Sequence, residues 1–146
     1  MRKPERIDTL IPHAGAMCLL QRVIAWTPNM IKAVSATHSE TSNPLRSRDR
    51  LRAVHLCEYG AQAMALHGGL VAASEGARAE PGLLVSLREV RFSVDWAHDL
   101  PGELEIVAWR LYSGPGGWQY RFLVEGEGRH LASGRAAVIV ARALPA

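Results

Sequence analysis

Cysteine is scarce in this chain. Only Cys18 and Cys57 occur among 146 residues, too few for a disulfide framework and without the C-x-x-C spacing of redox or zinc sites. A P-loop, a dinucleotide-binding glycine fingerprint and an H-E-x-x-H pair are also missing, so neither a nucleotide cofactor nor a metal is expected. No basic-then-apolar leader opens the sequence, and with so few cysteines a reduced, cytoplasmic setting is expected. Charge of one sign is not in large excess: the net charge is +3, which favours an acidic partner but does not argue for nucleic acid.

Long uncharged apolar runs are also absent. Residues 53–73 come nearest, but they contain His55, Glu58, Gln62 and His67. A carboxylate near mid-bilayer costs several kcal/mol, so this stretch reads as a buried helix and not as a membrane span.

What is present suits one globular domain over residues 1–146: 48% hydrophobic and 21% charged residues, with 13 Gly and 8 Pro, near average usage. Residues 17–26 and 30–38 read as two strands around the Thr27-Pro28-Asn29 turn. An Arg-rich polar connection, 41–52, leads into the helix, which the Gly76 to Gly82 stretch closes off. Alternation follows. Val90, Phe92, Val94 and Trp96 share one face, as do Leu104, Ile106 and Ala108, then Trp118, Tyr120, Phe122 and Val124, then Ala132, Ala136, Val138 and Val140. Turns at 114–117 and 126–128 join the last three strands as hairpins. Trp96, Trp109, Trp118 and Phe122 read as sheet core and not as a base-stacking platform. Two strands, one helix apolar nearly all round and four strands make an α+β fold in which a curved antiparallel sheet wraps the helix, as in the hot-dog fold.

The helix carries one polar stripe. At about 100° per residue, His55, Glu58 and Gln62 fall on one side, and His67 on the opposite one. A carboxylate among apolar neighbours is costly unless it is paired or used, so Glu58 is a general acid–base group, or else it reaches solvent or is held by an arginine such as Arg88 or Arg110.

These residues carry a resemblance. Leu10-Ile11-Pro12-His13, followed by Met17 through Val23, is similar to the opening L-P-H…L-L-V-D-R-V of bacterial 3-hydroxyacyl-ACP dehydratases. Glu58-Tyr59-Gly60-Ala61-Gln62-Ala63 resembles their helix motif E-A-M-A-Q-A, and Asn43-Pro44-Leu45 stands at their N-E-P-F turn. Within that group the chain most resembles the divergent hot-dog proteins of aryl-polyene-type biosynthetic clusters, through N-P-L-R at 43–46 and the E-Y-x-A-Q-A-M-A-x-H-G pattern at 58–68.

The resemblance, which spans about residues 5–142, implies a dehydratase acting on a 3-hydroxyacyl thioester held by an acyl carrier protein, with no cofactor of its own and with Glu58 as the acid. It implies substrate contacts at Ala53, Val54, His55 and Gln62, with a helix N-terminal amide near Ala53 polarising the thioester carbonyl. The family's H-F-P-G loop histidine is missing, replaced by Arg46-Ser47-Arg48-Asp49-Arg50-Leu51. His38 stands first as its substitute, then His13, then His55; His67, His98 and His130 are left as structural or surface residues. Arg46, Arg48, Arg50 and Arg52 are expected to meet the acidic carrier protein, or else to form a solvated loop. A homodimer or a hetero-oligomer with a related hot-dog protein is expected, since sheet edges need cover. Two alternatives stay open: a non-catalytic hot-dog subunit that binds the carrier or a catalytic homologue, and an acyl thioesterase.

Overall fold

The computed structural model describes Ile7 and residues 15–140; the Leu10-Ile11-Pro12 motif and His13 lie outside the described residues. The strands are β1 (Arg22–Thr27), β2 (Met30–Ser35), β3 (Gly82–Phe92), β4 (Leu104–Gly114), β5 (Gly117–Gly126) and β6 (Arg129–Val140), with one helix, α1 (Leu56–Ser74), between β2 and β3. All pair antiparallel in one six-stranded sheet of order β1-β2-β4-β5-β6-β3. The chain therefore crosses from β2 near one edge to β3 at the other, and α1 is the crossover. Irregularities in four of the five ladders let the sheet bend around it, because each inserted residue increases local twist.

The helix packs on β4, β5, β2 and β6. Leu56, Tyr59, Ala63, Leu66 and Leu70 are buried there against Ile106, Ala108, Phe122 and Val124. A short 3-10 turn, Ala53–His55, precedes α1. At its end the amides of Gly76 and Ala77 bond the carbonyls of Ala73 and Ala72, with Gly76 at φ 70°. This is a Schellman cap, which needs a residue at ease in the left-handed region. The arrangement is the hot-dog fold. Among the described residues no helix is long and apolar enough to cross a membrane.

Three details differ from the sequence pattern. Residues 17–20 do not extend β1, because at Met17 and Leu19 side chains take the backbone groups: Gln62 bonds both, and Ser35 and Thr37 donate to the Leu19 carbonyl. Pairing with β2 begins only at the Gln21 amide, which bonds the Val34 carbonyl. β2 stops at Ser35, and a 3-10 turn, Thr37–Ser39, takes the place of its last residues. β3 carries a register shift between Arg88 and Arg91, with Glu89 at φ 55°, and it ends at Phe92, so of the face expected for Val90, Phe92, Val94 and Trp96 the last two lie beyond the strand. Phe92 pairs with Ala132, itself opposite the buried Val124, so it keeps the core face and is 41% exposed because β3 is an edge strand.

Candidate active site

The first turns of α1 meet two non-regular segments, 15–19 and 37–43. Between those segments lies a cleft of about 220 Å³, with Cys18, Leu19, Thr37, Glu40 and Asn43 among its walls. Tyr59, fully buried one residue after Glu58, ties the helix to this region. Its hydroxyl is 2.7 Å from Thr37 Oγ1 and accepts from Asn43 Nδ2 at 3.1 Å. Thr37 itself donates to the Leu19 carbonyl, so the Tyr59 O–H donates to Thr37. Burial pushes the Tyr59 phenol up from its ordinary value, and the hydrogen bond that Asn43 donates to its oxygen opposes this. Asn43 also donates to the Thr37 carbonyl and accepts from the Leu45 amide through Oδ1, a turn that fixes the Asn43-Pro44-Leu45 motif.

His38 sits in the Thr37–Ser39 turn with none of its surface exposed. Nε2 is 2.9 Å from the Leu100 carbonyl. A carbonyl only accepts, so Nε2 carries the proton and Nδ1 holds the lone pair. Nδ1 is buried and has no partner among the described residues. Desolvation lowers the His38 pKa, the Leu100 bond raises it, and the nearby Arg46 charge lowers it again; the net direction is down. His38 is thus a neutral imidazole with one free lone pair, the form a general base needs.

Glu58 stands on the first turn of α1 and is half-buried, as is His55, the residue just before the helix. Gln62 is fully buried and spans the backbone of Met17 and Leu19 at both ends of its amide. The Ala53 amide donates to the Asp95 carbonyl at 3.0 Å and is occupied. Among the described residues no acceptor meets the next amide, that of Val54, whose side chain is 53% exposed.

The arginine loop is more ordered than a solvated connection. Arg46 turns inward, donating to the Asp49 and His38 carbonyls, and its Nε is buried without a partner. Ser47 and Arg50 exchange both backbone hydrogen bonds around Arg48 and Asp49, which stand at φ 52° and 62°. That is a primed turn built without the Asn or Gly it favours. Arg50 and Arg52 lie 5.2 and 5.3 Å from the centroid of the Trp96 ring, which is therefore a platform for the loop and not sheet core. Trp109 likewise belongs to the outer sheet face, where Arg121 covers it at 5.6 Å.

The remaining histidines described have structural partners. His67 Nδ1 bonds the Tyr120 hydroxyl at 2.7 Å and Nε2 bonds the Thr27 carbonyl at 2.8 Å. His98 accepts the Leu51 amide, and His130 bridges Ser93 and Ser133. The side-chain web of Ser35, Thr37, Asn43 and Tyr59 was not legible beforehand; the one signal was the Asn of the 43–45 motif with a Tyr beside the helix acid.

A hot-dog wall around a helix with a carboxylate on its first turn defines a hot-dog dehydratase or thioesterase. The chain belongs to the ApeP-like family, described as ApeP dehydratase, which matches residues 5–145. Among solved structures it is similar to the dehydratase heterocomplex ApeI:P from Xenorhabdus doucetiae, with 20% identity, 94% of this chain and 92% of that chain covered, and a TM-score of 0.85. A mutant of the phenylacetic acid degradation protein PaaI from Thermus thermophilus is more distant, at 17% identity, 82% and 91% coverage and a TM-score of 0.55. Thioesterase HI1161 from Haemophilus influenzae has 10% identity, 85% and 80% coverage and a TM-score of 0.55. No curated protein matches the sequence.

Proposed function

We propose that this chain takes part in eliminating water from a 3-hydroxyacyl thioester carried by an acyl carrier protein. The observation that carries the reading is the buried, neutral His38 with its free Nδ1 lone pair, held in a turn that Thr37 ties to Tyr59 beside Glu58. Nδ1 takes the C2 proton, the C2–C3 double bond forms, and the protonated Glu58 carboxyl gives its proton to the departing C3 hydroxyl, which leaves as water. The Val54 amide, and not that of Ala53, is the available donor for the thioester oxygen. Whether the base is His38, His55 or His13 is decided by substitution.

The active form pairs this chain with a second hot-dog protein. Support comes from the dehydratase heterocomplex it is similar to and from β3, an eleven-residue edge strand on which Leu83, Leu84, Val85 and Leu87 are between 42% and 51% exposed. A long apolar edge of this kind is left open only where another strand covers it.

The test is turnover of a 3-hydroxyacyl-carrier thioester by the chain alone and with the second hot-dog protein, read by mass spectrometry. Loss of one water gives the enoyl product and supports the reading. Release of the free acid would make the chain a thioesterase, and no turnover in either mixture would make it a non-catalytic subunit.

A further inference from the structure

The sheet register sets three like charges side by side on the face turned away from α1. Arg88 of β3 pairs with Arg135 of β6, and Arg135 pairs with Arg121 of β5; Trp109 of β4 continues the row. All three arginines are exposed, whereas Tyr120 and Phe122, flanking Arg121, are buried against the helix side. Like charges directly opposite each other destabilise a sheet. Among the described residues no carboxylate pairs with any of the three. Arg121 and Arg135 also border a depression of about 400 Å³ together with Arg91, Ser133 and Glu89, so four guanidinium groups face a single carboxylate there and along the row.

We propose that this arginine row is where the acyl carrier protein docks, through an acidic helix laid across the strands. The proposal rests on the carrier-borne substrate of the preceding section. Neighbouring strands lie about 4.8 Å apart, so three arginines span roughly 10 Å across the sheet. Acidic side chains three and four residues apart on a helix are spaced by about 5–6 Å, which places one carboxylate over each guanidinium. Bidentate arginine–carboxylate pairing then removes the repulsion that the register builds in. Trp109 holds the Arg121 guanidinium in place through its ring face, so less side-chain freedom is lost on docking. The 46–52 loop is the weaker candidate, because Arg46 is spent on backbone carbonyls and Arg50 and Arg52 rest on Trp96.

The test compares the assembled wild-type protein with an Arg121→Glu/Arg135→Glu double variant and a milder Arg88→Gln variant, after thermal melting confirms that each folds. Affinity for an apo acyl carrier protein is measured at low and high salt, and turnover is measured with carrier-bound substrate and with a small 3-hydroxyacyl cysteamine thioester. The double variant is expected to bind the carrier at least ~10-fold more weakly at low salt, with the gap closing at high salt. Its KM for carrier-bound substrate rises, and turnover of the small thioester is unchanged. Unchanged carrier affinity at low salt overturns the proposal. So does equal competition by inorganic phosphate at matched charge, which would make the row a small-anion site, or by heparin, which would make it a general polyanion surface. If neither substrate turns over but carrier binding is lost in the variant, the docking surface stands and the dehydratase reading falls.

Discussion

Asn43 donates to the Tyr59 hydroxyl across 3.1 Å, and that contact joins the loop carrying His38 to the helix carrying Glu58. Asn43→Ala leaves the Tyr59 oxygen, the Thr37 carbonyl and the Leu45 amide each short of a partner in a region only 6% exposed at Asn43 itself. The expected loss is about 1–3 kcal/mol, read as a lower midpoint in urea unfolding. Activity should fall further than stability alone explains at temperatures where the variant is folded.

Gly60 fits because it has no side chain. A Cβ there would sit 2.6 Å from the Phe122 ring, and on its other side the same ring is 3.0 Å from a Cβ built on Gly134. Gly60→Ala gains about 1 kcal/mol of helix propensity yet should destabilise by about 1–3 kcal/mol through overpacking. Adding Phe122→Leu should recover part of the loss. A double-mutant cycle by chemical denaturation measures the coupling, and simple additivity would show that the ring has somewhere to go.

Acid should weaken the fold through its buried histidines. Desolvation lowers the pKa of both His38 and His67 below the ordinary 6.5, ahead of the raising effect of the Leu100 and Thr27 carbonyls and the lowering effect of Arg46 and Arg110. The unfolded chain therefore takes up protons first as pH falls through 6.5. Stability is fully present above that value and is lost below it, until the folded-state values are reached, at up to ~1.4 kcal/mol per pH unit for each histidine. Urea midpoints between pH 8 and pH 5 check this, and His67→Gln should flatten the slope without touching His38.

Activity should depend on Glu58 and on His38 for different reasons. Glu58→Gln keeps the shape and removes the transferable proton, so dehydration should fall by roughly 10²–10⁴-fold. His38→Gln should cost a similar factor and abolish the rise of rate with pH on the acid limb. If His38→Gln keeps wild-type rates, His55→Gln and His13→Gln are the variants that locate the base.

The loop and the sheet can be told apart by charge. Arg50→Gln/Arg52→Gln should change carrier affinity by less than twofold at low salt, because both side chains rest on Trp96; stacked surface cations of this kind contribute about 0.5–1 kcal/mol locally. The measurable effect should be a small drop in melting temperature. A larger loss of carrier affinity than the Arg121/Arg135 variant shows would return docking to the loop.

The helix and the faces of β4, β5 and β6 could be read from sequence because each depends on local period: Leu104, Ile106 and Ala108, like Tyr120, Phe122 and Val124, alternate without interruption and are buried. β3 was less legible, because the register shift between Arg88 and Arg91 is an inserted residue that nothing in the local pattern announces. Glu58 stood out as a carboxylate among apolar neighbours. The work of Gln62 did not, since Met17 and Leu19 lie 45 and 43 residues away. The arginine row was invisible for the same reason: Arg88, Arg121 and Arg135 become neighbours only through strand register.

The bare β3 edge has a consequence for how the chain must be made. Without the companion proposed for it, the chain presents the open outer edge of an eleven-residue strand, paired on its other side to β6 and carrying exposed leucine and valine, the template on which strands of other copies add. Any surplus over the companion is self-templating, at a rate that climbs with the square of the surplus at the pairing step. On the proposed pairing, matched synthesis of the two chains follows from this surface, and expression of this chain by itself should yield precipitate where co-expression yields a dispersed complex.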